Sequence, residues 1–214
     1  MNKLTEKAFE NSLNGVFTLS DVLIWLGESK NSVRNIVKRA IASGEILHLR
    51  RGLYCLSSKY QRTGLSRNML ANLIYGPSYV SMETALAYYG WIPEAVHSVS
   101  SVSLNRAKEV ETPVGYFDYV QVKQTTLLKG VRREVSTENP AVSFLIASPL
   151  KAIADYVASH HVDWLGVEPL EDSLRIDTDE LESLTSGDFK ELEGLYVSKR
   201  ARNFLAGLRK ELQK

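Results

Sequence analysis

The chain has 214 residues, of which 44% are hydrophobic and 24% charged, and its formal net charge is +1 at pH 7. Such a composition is typical of folded globular domains and excludes disordered and fibrous proteins. No apolar run is longer than that of Val22 to Leu26, which is far shorter than the roughly 18 residues needed to cross a bilayer, and the first residues lack the apolar core of a signal peptide. A single cysteine, Cys55, excludes an intramolecular disulfide and a zinc site built on thiolates. We therefore expect a cytoplasmic protein of one large or two small domains.

Positive charge is concentrated near the amino terminus. Residues 1–60 contain nine Lys or Arg and five acids, a net of +4, whereas the remainder of the chain has a net of −3. Six of these bases, with one acid, fall between Lys30 and Arg51. Near the other end, residues 168–193 hold ten acids and two bases, and residues 196–214 hold six bases and one acid. The basic segment between Lys30 and Arg51 predicts an anionic partner. Residues 168–193 and 196–214 can also be interpreted as the solvated faces of two helices.

The first 60 residues predict three helices followed by a β-hairpin. The expected elements are helices over Leu4 to Leu13, Asp21 to Leu26 and Asn31 to Ser43, then strands over Glu45 to Arg50 and Leu53 to Leu56. The third helix has one apolar face, because five of its residues recur at helical spacing: Val33, Ile36, Val37, Ala40 and Ile41. Ser29 or Asn31 can cap its start, and Gly44 can end it.

The rest of the chain predicts a connector and a second domain. Residues 61–78 form the connector and include a short helix, Ser66 to Ile74. From residue 79 onward helices and strands mix, with Ser81 and Ser148-Pro149 as helix starts. The expected helices are Met82 to Tyr89, Leu150 to His160, Asp179 to Leu184 and Val197 to Gln213, and the expected strands are Val99 to Leu104, Tyr116 to Val122 and Val142 to Ile146. The sequence thus predicts an α+β protein, with a winged helix-turn-helix in residues 1–60 and a mixed α/β domain in residues 79–214.

The polar face of the third helix carries residue types that are suited to contacts with DNA. A helix in the major groove needs an apolar face that holds it on its neighbour and a polar face that meets the bases. Arginine pairs with guanine and asparagine with adenine, while lysine and serine contact phosphates. Arginines at the hairpin tip can reach a phosphate or an adjacent minor groove. The candidate DNA-binding residues are Lys30, Asn31, Ser32, Arg34, Asn35, Lys38, Arg39, Arg50 and Arg51.

The last predicted helix offers a second basic surface. Val197, Ala201, Leu205 and Leu208 share one face of it, and bases occupy much of the rest. Lys199, Arg200 and Arg202 are its candidate residues, for an antitoxin role or for a second nucleic-acid contact.

No motif of the sequence points to an enzyme, a metal site or a cofactor. His160 and His161 are adjacent and lack the i, i+4 spacing that puts two ligands on one helix face, even with Asp163 nearby. Glu109, Glu111 and Asp118 fall in predicted turns and strand edges, where solvated acids are expected. The sequence contains no phosphate-binding glycine loop and no Gly-x-Ser-x-Gly elbow.

Three segments resemble one known family in the same order. Residues 17–56, FTLSDVLIWLGESKNSVRNIVKRAIASGEILHLRRGLYCL, resemble the amino-terminal winged helix of the AbiEi-type antitoxins, including an Arg-Gly-x-Tyr turn at Arg51 to Tyr54. Residues 79–96, YVSMETALAYYGWIPEAV, resemble the family's Tyr-x-Ser, helix and Gly element. Residues 144–158, FLIASPLKAIADYVA, resemble its Ile-Ala-x-Pro-x-Lys-Ala-x-x-Asp element. The residues after His161 match no part of the family.

The resemblance implies a repressor that is also an antitoxin. It implies that the amino-terminal domain binds double-stranded DNA at inverted repeats in its own promoter, with possible self-association on DNA. It also implies a type IV toxin-antitoxin system, in which the carboxy-terminal domain counters a nucleotidyltransferase-like toxin without a stable complex. Two alternatives stay open: a plain winged-helix regulator whose second domain binds a ligand or a partner, and a protein-interaction module that does not bind nucleic acid.

Overall fold

The protein is a mixed α+β fold. The structure, a computed structural model, describes residues 1–93, 96–137 and 139–214. The described chain divides into two compact units. The first unit consists of Met1–Leu70, Glu111–Gly115 and Val135–Ser143, and the second of Ala71–Val110, Tyr116–Glu134 and Phe144–Lys214.

Ten α-helices and nine strands lie within the described residues. The helices are α1 (Lys3–Asn11), α2 (Leu19–Leu26), α3 (Lys30–Ala42), α4 (Arg67–Ile74), α5 (Met82–Tyr88), α6 (Pro149–His160), α7 (Glu168–Leu174), α8 (Thr178–Ser183), α9 (Ser186–Leu192) and α10 (Lys199–Glu211). The strands are β1 (Val16–Thr18), β2 (Ile46–Arg50), β3 (Leu53–Leu56), β4 (Ser78–Val80), β5 (Ser98–Ser103), β6 (Lys108–Thr112), β7 (Gly115–Gln121), β8 (Val131–Val135) and β9 (Ser143–Ala147). No helix of this part of the chain has the length and hydropathy that a membrane span requires.

In the first unit, α1, α2 and α3 pack with a three-stranded antiparallel sheet of order β1-β3-β2. The central strand β3 is buried along its whole length, and its Cys55 lies opposite Val16 on one side and Leu47 on the other. The core between helices and sheet is made of side chains from every one of these elements: Leu4, Ala8, Phe17, Val22, Val33, Val37, Ala40, Ile46, Tyr54 and Leu56. The helices and the hairpin are therefore held as one block.

Local hydrogen bonds and backbone conformation fix the start of α2, its end and the start of α3. The Thr18 side chain accepts a hydrogen bond from the backbone N–H of Asp21, whose carboxylate accepts one from the Thr18 N–H, and this pair caps the start of α2. Gly27 ends α2 with φ +64°, a conformation that favours glycine. Ser29 caps α3, as its sequence position predicts, through a 3.3 Å hydrogen bond from the Ser32 N–H.

The apolar face predicted for α3 is narrower than expected. Val33, Val37 and Ala40 are buried, and Ile36 is half-buried against the same core. Ile41 is 36% exposed, so its place in the buried face was wrong. It lies in the last turn of α3, where its side chain lines a groove beside β2 and β3 instead of the core.

The second unit is built on a mixed sheet. The six-stranded sheet has the order β6-β7-β5-β4-β9-β8. Strand β4 pairs antiparallel with β5 and parallel with β9, and β5 pairs parallel with β7. Helix α6 begins with Pro149 in its first turn, as predicted, and buries most of its residues, including the charged Lys151 and Asp155.

Several short elements of the structure differ from the sequence prediction. Strands β1, β4, β6 and β8 and helices α7 and α9 were not predicted. Helix α10 begins at Lys199, and Val197 is 55% exposed, so the place of Val197 in the predicted apolar face was wrong, whereas Ala201 and Leu208 are buried as predicted. The buried face of α10 is formed by Ala201, Phe204 and Leu208, which are spaced by three and four residues.

Candidate nucleic-acid interface

Helix α3 presents a continuous polar surface to solvent. Over its 13 residues the core takes Val33, Val37 and Ala40, with Ile36 half-buried against it, and seven of the other residues are candidate DNA-binding residues. Six of these seven side chains are exposed, and Ser32 is half-buried: Lys30, Asn31, Arg34, Asn35, Lys38 and Arg39. The surface therefore offers long cationic donors and amide groups on an element that the core holds from the opposite side.

A groove of about 280 Å³ runs between α3 and the β2–β3 hairpin. One side is formed by Arg34, Lys38 and Ile41 of α3, and the other by His48 and Tyr54 of the hairpin. The rings of His48 and Tyr54 lie 5.5 Å apart. Burial raises the pKa of Tyr54, while the positive charge of Arg34 opposes that rise. The groove thus combines two cations with hydrogen-bonding rings.

His48 and Tyr54 were missed by the sequence analysis. Tyr54 lies in the Arg-Gly-x-Tyr turn, and the sequence marked it only as part of a family motif. His48 lies on β2 next to a register irregularity between His48 and Arg50, which leaves both side chains exposed. Strict strand alternation would place them on the face of the buried Ile46, so no sequence signal indicated their exposure.

The hairpin tip carries Arg50 and Arg51, both of which are exposed. Gly52 follows them with φ +77°, and it allows the tight turn into β3. The Arg50 guanidinium donates through Nη1 to the backbone oxygen of Arg51 at 3.4 Å. Because β3 is paired on both sides, the two arginines stand on a supported hairpin rather than on a free loop.

A carboxylate lies at the start of α3. The Ser32 hydroxyl donates to Glu28, and Lys3 of α1 forms an ion pair with the same carboxylate at 3.4 Å. The hydrogen bond from Ser32, with that from Lys3, lowers the pKa of Glu28. Ser32 is therefore already engaged within the protein, which sets it apart from the six exposed side chains of α3.

The second basic set has internal partners in the second unit. Arg200 forms an ion pair with Asp163, with Nε and Oδ1 2.5 Å apart. Arg202 donates through Nη1 to the backbone oxygens of Tyr196 and Val197 at 3.3 and 3.0 Å. Lys199 is exposed at the first position of α10. Two of the three residues thus stabilise the α10 end of this unit as well as carrying charge.

The structure places the residues considered for a metal or for catalysis as follows. No group of three potential metal ligands occurs within the described residues. His161 ends α6 in a left-handed conformation with φ +58°, and Asp163 is engaged by Arg200. Burial, reinforced by the charges of Glu109 and Glu83, raises the pKa of Asp118.

A buried polar cluster joins two of the family-like segments. Asp155 of α6 accepts hydrogen bonds from the hydroxyls of Tyr79 (2.9 Å), Ser81 (2.7 Å) and Tyr196 (2.7 Å). Ser81 was expected to cap α5, but its hydroxyl donates to Asp155 and accepts no hydrogen bond from the first turn of the helix. Tyr79 and Ser81 belong to the Tyr-x-Ser element, and Asp155 ends the Lys-Ala-x-x-Asp element, so the two motifs meet in space.

Lys151 completes this cluster. Its Nζ lies 2.9 Å from Oε1 of Gln124 and 3.5 Å from Oδ1 of Asp155, and it stands over the rings of Tyr79 and Tyr196. Burial lowers the pKa of Lys151, although the Asp155 carboxylate opposes that change. Burial and the same carboxylate raise the pKa values of both tyrosines. The cluster thus holds an ammonium and a carboxylate in fixed positions by mutual hydrogen bonding.

Comparison of the chain with models of known protein families finds no match, and comparison with curated proteins finds none either. Residues 94 and 95, near the end of the 79–96 segment, lie outside the described residues. The resemblance to the AbiEi-type antitoxins therefore rests on the residues of the three segments alone.

Proposed function

We propose that the chain is a DNA-binding transcriptional repressor in which α2, α3 and the β2–β3 hairpin act as a winged helix-turn-helix. The observation that carries the proposal is the exposed polar face of α3 beside the groove that Arg34, Lys38, His48 and Tyr54 line. A 13-residue helix held by its apolar face can enter the major groove of double-stranded DNA. The rest of the α3 surface then meets base edges and phosphates.

The two basic elements take different roles in this proposal. Arg34 and Asn35 project from the middle of α3, where bidentate contacts to guanine and adenine specify sequence. Arg50 and Arg51 at the hairpin tip contact phosphates or the minor groove and set affinity rather than sequence. Self-association on inverted repeats would pair two such helices about one helical turn of DNA apart.

We further propose that the protein acts in the cytoplasm as an antitoxin against a nucleotidyltransferase-like toxin. This part rests on the resemblance to the AbiEi-type antitoxins. Support comes from the buried cluster, because Tyr79, Ser81, Lys151 and Asp155 all belong to the segments that carry the resemblance. Lys199, Arg200 and Arg202 are the surface charges assigned to this role, without a stable toxin complex.

The decisive experiment measures binding of the full-length protein to DNA from upstream of its own gene. Fluorescence anisotropy between about 50 and 200 mM salt should give log affinity that falls linearly with log salt, by about 0.9 for each phosphate contact. An unrelated duplex of equal length serves as the reference for specificity. A flat salt dependence, or equal affinity for both duplexes, would contradict the repressor function.

The antitoxin role has its own test. The resemblance implies a neighbouring gene for a nucleotidyltransferase-like toxin. The gene of this protein is co-expressed with that gene, and growth is compared with cells that express the toxin gene alone. Restored growth is expected from the full chain. Continued growth arrest at equal protein levels would remove the antitoxin role while leaving DNA binding intact.

A further inference from the structure

The second unit contains a cavity of about 470 Å³ between α9 and α10. Its floor is largely apolar and is formed by Phe189, Leu192, Tyr196, Leu205 and Ala206. The volume lies within the range of roughly 300–1,000 Å³ that is usual for small-molecule sites. None of the candidate DNA-binding residues of α3 and the hairpin tip lines this cavity, whereas Arg202, a candidate for the antitoxin role, does.

Cations surround the apolar floor. Arg202, Arg209 and Lys210 all line the cavity from α10, whereas Glu193 contributes a carboxylate. These three cations outnumber the single carboxylate, so the mouth of the cavity is positively charged. The cavity therefore has an apolar interior and a cationic edge on the same helix.

Both arginines are held in place with donors to spare. Arg202 uses one nitrogen, Nη1, for the backbone oxygens of Tyr196 and Val197. Arg209 donates through Nε to the backbone oxygen of Lys214 at 2.9 Å. A guanidinium has five N–H donors, so each side chain keeps further donors for an anion. Because each side chain is already anchored, less rotamer freedom is lost when an anion binds.

We propose that this cavity binds a small amphiphilic carboxylate, of the size and shape of a medium-chain fatty acid. The apolar tail lies against Phe189, Leu192 and Leu205, and the carboxylate meets the guanidinium of Arg202 or Arg209 and the ammonium of Lys210. Arginine is suited to this head group because its planar fork matches a carboxylate in a bidentate arrangement. The site lies wholly in the second unit and does not depend on the proposed DNA binding.

The first test is isothermal titration of the full-length protein with decanoate below its micellar concentration. Decanol and decyltrimethylammonium provide the same tail with a neutral and a cationic head. We expect decanoate to bind at least about tenfold more tightly than decanol, and the cation to bind least. Equal affinity for decanoate and decanol, or no heat with decanoate, would overturn the proposal.

The second test locates the site with variants of exposed residues. Ala206→Trp fills the cavity and Lys210→Glu reverses a charge at its edge, so each should weaken decanoate binding by at least about tenfold. Lys190→Glu is the matched control, because Lys190 is exposed on α9 and does not line the cavity; its affinity should stay within about twofold. If Ala206→Trp does not fold by circular dichroism, Lys210→Glu alone decides. Equal effects of the two lysine variants would show that overall charge, not this cavity, governs binding.

Discussion

Lys151 and Asp155 lie one turn apart on α6, and neither side chain is exposed to solvent, with Nζ and Oδ1 3.5 Å apart. An ion pair at this spacing on a helix surface is worth only about 0.3–0.5 kcal/mol. Here both charges have left water, so each depends on the partners around it. The three hydroxyls on Asp155 and the Gln124 oxygen on Lys151 supply those partners.

Removing the Asp155 charge should therefore be costly. We expect Asp155→Asn to lower the free energy of unfolding by about 3–5 kcal/mol, because it leaves the Lys151 ammonium buried and unpaired. Adding Lys151→Met should cost less than the sum of the two single changes. Urea denaturation of the unaltered protein, the two single variants and the double variant measures the single losses and their sum. Lys7→Met, which breaks the exposed pair with Glu10, is the control. A loss below about 1 kcal/mol for Asp155→Asn would contradict the account of the cluster.

Positions 33 and 41 on α3 should respond differently to the same substitution. Val33 is fully buried, so Val33→Asp places an unpaired carboxylate in the core and should cost several kcal/mol. Ile41 is exposed at the groove, and Ile41→Asp should change stability by about 0.5 kcal/mol or less. Thermal melting followed by circular dichroism compares the two. Similar losses would mean that the rotation of α3 in this structure is wrong.

Sequence reading and phosphate binding should separate by residue. We expect Arg34→Ala to lower affinity for the preferred operator by about 1–3 kcal/mol and to relax specificity, because a base contact is lost. Arg51→Ala should weaken all duplexes alike and reduce the salt slope by about 1. Lys7→Ala, a change to a base of α1 that pairs with Glu10, is the control. Anisotropy titrations with matched and mutated operators measure these effects. If Arg34→Ala lowered the affinity for all operators equally, Arg34 would be a phosphate contact and not a base contact.

Cys55 should report the unfolding of the first unit. Burial raises the pKa of its thiol to about 12, so the native thiolate fraction is negligible near neutral pH. We expect a disulfide reagent to react slowly with the native protein and rapidly in denaturant. Above pH 9 the unfolded chain releases this proton while the folded chain keeps it, so stability falls as pH rises towards 12. The fall in stability with rising pH should be smaller in Cys55→Ala. Fast reaction of the reagent with the native protein would contradict the expectation, because it would show that β3 is accessible.

A surface pair in the second unit should give an acid-dependent effect. Arg132 donates to Glu191 through two nitrogens, at 2.8 and 2.5 Å, and this contact lowers the pKa of Glu191. The stabilisation is present above the ordinary value of 4.5 and is lost as pH falls through the lowered pKa. Glu191→Gln should cost about 0.2–1 kcal/mol at pH 7 and almost nothing below that pKa. Glu193→Gln is the control, because the Glu193 carboxylate has no such partner among the described residues, and this change should cost less stability at both pH values. A loss for Glu191→Gln that does not depend on pH would argue against the pair.

The sequence predicted the elements whose signals are local. Ser29, Gly27 and Gly44 delimit α2 and α3, and the spacing of Val33, Val37 and Ala40 predicted the buried face. Three-residue strands such as β1 and β4 were missed because pairing with distant strands, not local pattern, makes them strands.

The buried cluster was hidden for a related reason. The i, i+4 spacing of Lys151 and Asp155 gives no sign of burial in the sequence, since burial of both requires Tyr79 from β4 and Tyr196 from before α10. The cavity between α9 and α10 depends on how these helices pack, and α9 itself was not predicted. The exposure of His48 likewise depends on the register irregularity of β2, which no residue pattern marks.

The first unit is assembled from three separate stretches of the chain, and the last of them ends at Ser143. Asn139 in that stretch donates through Nδ2 to the backbone oxygen of Leu13 at 2.9 Å, across 126 positions of sequence. Domains usually fold from the amino terminus during synthesis. Here the amino-terminal unit is complete only when about two thirds of the chain has left the ribosome, so a truncation after residue 70 removes two of its three segments. Completion of the first unit during synthesis is thereby tied to synthesis of much of the second unit.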